Sequence, residues 1–98
     1  MRAAKDIATM AELRVEIDAL DAEIVAQLAA RARLIDRAAE LKPGEGLPAR
    51  IETRVEAVVA NVRRRAEAEE LDPALVEALW RRLIDWSIDR EEVVLGPS

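Results

Sequence analysis

Between Met10 and Lys42 the chain contains neither proline nor glycine. Thr9 precedes this run and Glu12 follows three residues later. That is the capping-box pattern, in which the hydroxyl takes one unpaired N–H and the carboxylate reaches back to another. The run predicts a helix over about residues 10–41, and at ~1.5 Å per residue such a helix is roughly 50 Å long. A compact domain of this chain length has a radius of gyration near ~13 Å. The rest of the chain is too small to enclose so long a rod.

The seam of this helix adds a second constraint. Leu13, Ile17, Leu20 and Ile24 follow the 3,4 spacing of a coiled coil. In the same register the seam then meets Gln27 and Arg31 before returning to Leu34, Ala38 and Leu41. An arginine buried in an apolar seam needs an anionic partner. Lys42 lies eleven residues beyond Arg31, about three turns, so the two cations share a face to within roughly 20°.

Pro43, Gly44, Gly46 and Pro48 mark residues 42–48 as a loop. A second helix is predicted over about 49–70, with Ile51, Val55, Val58, Val62 and Ala66 as its buried stripe. Asp72-Pro73 restarts the chain as N-cap and first helical residue. A third helix follows over about 73–94 and ends at Gly96-Pro97. Residues 1–8 read as a loose lead-in. Ala, Leu, Glu and Arg dominate and no stretch alternates as a strand does, so the fold class is all-α. The expectation is one domain over residues 1–98, with one long helix and two shorter ones. The short helices cannot cover the long one, and an exposed seam is most simply buried against a second copy. The predicted assembly is an entwined homodimer of six helices.

Composition narrows the chemistry. The net charge of −5 argues against a nucleic-acid partner. Arg63-Arg64-Arg65 is the one basic run, and beside Glu67, Glu69 and Glu70 it reads as a solvated helix face. There is no Cys and no His, which removes thiol nucleophiles, imidazole bases and nearly all zinc chemistry. No metal or other cofactor is expected. No segment suits a signal peptide or a membrane span, so the expected compartment is the cytoplasm and no membrane is expected as a partner.

What remains is a set of polar residues on or beside apolar faces. Arg14 lies seventeen residues before Arg31, about 26 Å along the axis and roughly 100° around it. It cannot readily join Arg31 and Lys42 in its own chain, but across an antiparallel dimer it can. On the third helix, Trp80, Ile84, Ser87 and Glu91 form one stripe. On the second, Arg54 adjoins the Val55 stripe. Each residue also has a structural reading. Arg14 and Arg54 read equally as solvated helix residues, and Arg31 as a register-setting or snorkelling side chain. Ser87 reads as bonding back to its own helix, and Glu91 beside Glu92 as surface. Together they suit a buried pocket for a small dianion, with no nucleophile in it.

The stretch Leu13-Arg14-Val15-Glu16-Ile17-Asp18-Ala19-Leu20-Asp21, then Leu28-Ala29-Ala30-Arg31, then Lys42, resembles the first helix of the all-helical chorismate mutases. That family includes the related isochorismate pyruvate lyases. The resemblance continues through Pro48, Arg54, Leu71-Asp72-Pro73 and Leu83-Ile84-Asp85-Trp86-Ser87-Ile88, and spans about residues 10–92. It implies an entwined dimer with two shared sites and no cofactor. Arg14 would reach into the partner's site. Arg31 and Arg54 would hold the two carboxylates of the substrate. Lys42 would contact a carboxylate and the ether oxygen of the breaking C–O bond. Ser87 would help bind the substrate, and Glu91 would stand near the same ether oxygen. The implied activity is the isomerisation of chorismate to prephenate, in aromatic amino-acid biosynthesis.

That chemistry fits the residue types. A concerted pericyclic shift moves no proton and forms no covalent intermediate. The protein must hold the enolpyruvyl arm over the ring and stabilise the charge growing on the ether oxygen. Arginine forks suit carboxylates, and a lysine suits a single oxygen. Two positions depart from the commonest pattern. Val55 stands where many mutases carry a Glu that contacts the ring hydroxyl, and the lyase branch tends to be apolar there. Glu52, one turn earlier, is a weaker alternative for that contact. Glu91 assists the ether oxygen only in its protonated form, so burial must favour the neutral carboxyl and activity should rise toward acidic pH. The alternatives are isochorismate pyruvate lyase, a mutase of an amino analogue of chorismate, and a non-catalytic helical dimerisation module.

Overall fold

The computed structural model describes residues 3–96. A single 3-10 turn, Ala4–Asp6, leads into three helices: α1 (Met10–Glu45), α2 (Glu52–Ala68) and α3 (Pro73–Leu95). No strand occurs among the described residues, so the fold is all-α with one long and two shorter helices. The expected stop at Pro97 lies outside the described residues. The chain divides between Arg33 and Leu34 into two compact units, and α1 contributes to both.

The first unit holds the lead-in and the N-terminal part of α1. Its cap is the predicted box with one change. The Glu12 N–H donates to Thr9 Oγ1 at 3.2 Å, but the Glu12 carboxylate accepts from the N–H of Ala8, one residue ahead of Thr9. Most of the apolar seam is exposed in the single chain: Ile17 by 48%, Leu20 by 41% and Ile24 by 51%.

The second unit holds the last turns of α1 together with α2 and α3. Helix α1 does not stop at Leu41. It runs on through Lys42, Pro43 and Gly44 to Glu45, so the predicted loop begins four residues late. Proline at position 43 forfeits one bond, to a carbonyl in the last turns, and that is the whole of its missing donor's effect. The stop comes from Gly46, whose φ of 69° is left-handed. The Gly46 N–H returns to Pro43 O at 3.2 Å and the Leu47 N–H to Lys42 O at 3.0 Å. These are the two bonds of a Schellman cap.

Helix α2 begins at Glu52, not at Ala49. Ile51 is its extended N-cap, and no side chain caps it. Its C-terminus repeats the Schellman pattern, with Leu71 N–H on Ala66 O at 2.8 Å and Glu70 N–H on Glu67 O at 3.1 Å. Here the left-handed position is filled by Glu70, at φ 57°. Helix α3 starts as predicted, with Asp72 Oδ1 accepting from the Ala74 N–H at 2.9 Å.

The core is a contact of α2 with α3. Ala49, Val55, Val59, Ile84 and Ile88 form it, with Val58 and Leu95 against its edge. The predicted α2 stripe was rotated slightly: Val59, omitted from it, is more buried than Val58 or Val62. Around this core run ion pairs. Arg81 donates to both carboxylate oxygens of Glu56 and to Glu77, which also accepts from Arg63. The basic run is thus partly neutralised by α3 rather than merely solvated. Arg90 donates to both oxygens of Asp36, at 2.5 and 2.9 Å, and lies 5.2 Å over the Trp86 ring. These hydrogen bonds hold the Asp36, Glu56 and Glu77 carboxyls below the usual carboxylate range. The pairs are solvated, so each fixes helix register more than it adds stability.

Candidate active site

Two of the predicted site residues meet. Lys42 leaves the last turn of α1 and Glu91 the end of α3, four residues before Leu95, and Lys42 Nζ lies 2.8 Å from Glu91 Oε1. Both side chains are sheltered, 17% and 5% exposed. The contact is an ion pair but not a hydrogen bond: Oε1 is buried and accepts none. Its oxygen lies close to the ammonium yet off the hydrogen-bond direction. The ammonium instead donates to the carbonyl of Ala49 at 2.7 Å. Lysine carries three such donors, so the group is held from one side and keeps further N–H capacity.

Glu91 is therefore not the surface residue that the adjoining Glu92 could suggest. It faces inward because α3 carries Ile84, Ser87, Ile88 and Glu91 on one buried face. Ser87, one turn before Glu91, is 2% exposed. Its hydroxyl donates to Leu83 O at 2.8 Å, the back-bond of a helical serine.

Arg54 is exposed on α2 and makes none of the ion pairs that tie α2 to α3. In the first unit Arg14 is exposed and Arg31 half-buried. Val55 belongs to the α2–α3 core, 7% exposed. Glu52 points to solvent and pairs with Arg50 at 3.3 Å. Neither supplies a buried carboxylate beside Lys42, and among the described residues the acid paired with the ammonium is Glu91.

The Ala49 carbonyl escaped the sequence reading, since a backbone acceptor leaves no mark in residue type. The signal nearest to it is Gly46 two residues before Pro48, which turns the chain back on the end of α1. Arg90 and its pairing with Asp36 were also missed. Their separation of fifty-four positions carries no periodic signature. A shallow cavity at the start of α1 is lined by Ala4, Ile7, Ala8, Thr9, Met10 and Leu13. It presents no cation and does not suit a dianion.

No helix of the described residues is long and apolar enough to cross a membrane, and no cluster of acidic residues there could hold a metal ion. The groups that meet here are a fixed ammonium and the buried carboxyl paired with it, with a hydroxyl one turn before that carboxyl on α3.

Over 85 residues the chain is 33% identical to the T-protein of Enterobacter agglomerans, which covers 87% of this chain but 23% of that protein. Over 89 residues it is 34% identical to the isochorismate pyruvate lyase of Pseudomonas aeruginosa, covering 90% of this chain and 86% of the lyase. Residues 13–92, which run from the seam of α1 through Lys42 to just past Glu91, match the profile of chorismate mutase type II, and the chain belongs to that family.

Proposed function

We propose that this chain is a chorismate mutase, converting chorismate to prephenate by a concerted rearrangement. The observation that carries the reading is the Lys42 ammonium, fixed at the Ala49 carbonyl beside the buried Glu91 carboxyl. A reaction that breaks a C–O bond without proton transfer needs one positioned cation at the ether oxygen. It needs further cations to hold the arm and ring together. Lys42 takes the first role. Arg31, Arg54 and the Arg14 of a second copy take the others, binding carboxylates as two-pronged donors. Ser87 contributes a hydroxyl to substrate binding. Glu91 stands beside the Lys42 ammonium as its buried partner.

The assembly that this requires is a two-fold homodimer, with residues 1–98 forming one domain of each copy. The exposure of Ile17, Leu20 and Ile24 in the single chain supports it, and so does the exposed position of Arg14. A second reading is isochorismate pyruvate lyase. It is favoured by Val55, apolar and in the core, where a mutase-type glutamate would stand, and by the near-full-length match to a lyase.

The test is a product assay with chorismate and with isochorismate, each at pH 5 and pH 7.5. Prephenate from chorismate is the expected result. A Glu91→Gln variant should lower kcat, and unchanged turnover would remove Glu91 from the site. Salicylate and pyruvate from isochorismate, with little prephenate, would move the assignment to the lyase. No turnover of either would leave the amino-analogue mutase or a helical dimerisation module.

A further inference from the structure

We infer that Ala49 is a positioning residue for Lys42: its methyl is locked into the α2–α3 core while its carbonyl holds the ammonium. The inference rests on the assignment of Lys42 as the cation at the reacting oxygen. Three observations carry it. Ala49 is 3% exposed and belongs to the cluster of Val55, Val59, Ile84 and Ile88. Its carbonyl accepts from Lys42 Nζ at 2.7 Å, whereas Glu91 Oε1, at 2.8 Å, accepts no hydrogen bond. And the chain is bent back to this place by Gly46 (φ 69°), so that Leu47 N–H bonds the backbone of Lys42 itself.

A lysine side chain is flexible, and a point charge is directed only by what it touches. The ion pair with Glu91 supplies attraction but no direction. The bond to Ala49 supplies direction, and the core supplies the rigidity behind it. One alanine thus couples the packing of α2 against α3 to the aim of the ammonium. A displacement of about 1 Å at a reacting centre is enough to slow the chemistry by up to ~100-fold.

The chain has two lysines, Lys5 and Lys42. Lys5 is exposed, so it serves as an internal standard for acetylation by N-hydroxysuccinimidyl acetate, read by mass spectrometry. In the native protein Lys42 should acetylate roughly tenfold more slowly than Lys5. Ala49→Gly removes the anchoring methyl. It should bring the two rates together and lower kcat roughly tenfold with KM nearly unchanged. Val76→Ala, a truncation of a buried residue outside that cluster, should leave the Lys42 rate where it was. Ala49→Ser, close in volume, should restore slow acetylation, and it decides the matter should the glycine variant not fold. Equal rates for both lysines in the native protein, or a Lys42 rate unmoved by Ala49→Gly, would overturn the inference even if the enzyme turns over. Slow acetylation released by Ala49→Gly in a protein that converts none of the substrates would instead uphold the bond and sink the functional assignment.

Discussion

Replacing Lys42 by methionine strands a buried carboxylate, and the size of the effect can be worked from the geometry. The ammonium and Glu91 Oε1 are 2.8 Å apart. At an effective dielectric near ~20, that separation is worth about 6 kcal/mol of attraction. Part of it offsets the desolvation of both groups. Once Lys42→Met removes the cation, the carboxylate keeps its desolvation cost with nothing against it. Loss of one partner of such a pair costs about 3–5 kcal/mol, a large share of the ~5–15 kcal/mol that holds a domain together. The side chain of Glu91 is 5% exposed, so water cannot relieve it, but a proton can. In the variant the folded state therefore binds a proton that the unfolded state has released above about pH 4.3. The sign follows: the folded variant holds more protons, so its stability falls as pH rises, by up to about 1.4 kcal/mol per unit, until the folded carboxyl ionises. Urea denaturation followed by tryptophan fluorescence, at one protein concentration, should place the variant about 3–5 kcal/mol below the parent at pH 7.5. At pH 4.5 the gap should shrink to about 1 kcal/mol or less. Adding Glu91→Leu should recover most of the loss at pH 7.5. The reverse deletion, Glu91→Leu alone, should be milder, because Lys42 retains the Ala49 carbonyl and some solvent. A gap equal at both pH values, or no recovery in the double variant, would refute the reasoning.

Glu70 sits in the left-handed region at φ 57°, where a side chain costs about 1–2 kcal/mol. Glu70→Gly should therefore raise the unfolding free energy by about 1 kcal/mol in urea titration. Ile88→Ala removes a core side chain that is 5% exposed and should cost about 2–5 kcal/mol by the same assay. Asp72→Ala removes the side-chain cap on the Ala74 N–H and should cost about 1 kcal/mol. Hydrogen bonds from arginines hold the Asp36, Glu56 and Glu77 carboxyls below their ordinary range. Their contribution is present above the unfolded carboxylate range, near about pH 4, and is lost as pH falls through the depressed folded values. A thermal scan should show Tm falling on that acid side, and Arg90→Ala should weaken the fall.

What the sequence disclosed depended on whether a feature had a period or a fixed spacing. The three helices follow from the 3,4 recurrence of apolar residues and from Asp72-Pro73, and the inward aim of Ser87 and Glu91 follows from their place on the stripe with Ile84. The end of α1 was misjudged because Pro43 was weighed as a breaker, whereas in a last turn it forfeits only one bond. The left-handed Gly46 sets the stop. The start of α2 was placed too early because Ala49 and Arg50 have helical composition, while the tertiary pull of Ala49 into the core keeps them out of the helix. Arg54 adjoins the buried stripe of α2, yet no periodicity can say that it ends exposed in a single chain. The meeting of Lys42 with Glu91 joins positions forty-nine apart, and residue types alone mark each as notable without pairing them.

The bond from Lys42 to the carbonyl of Ala49 has an experimental consequence of its own. The usual survey of a site substitutes each residue in turn by alanine and ranks the losses. At position 49 the probe and the native residue are identical, so the survey records nothing. Directed changes to larger side chains would act through the core and be scored as folding defects. A mutational map of this protein will therefore draw a blank beside its most sheltered lysine, and replacing the amide there by an ester, which weakens the carbonyl as an acceptor without altering the side chain, is the substitution suited to fill it.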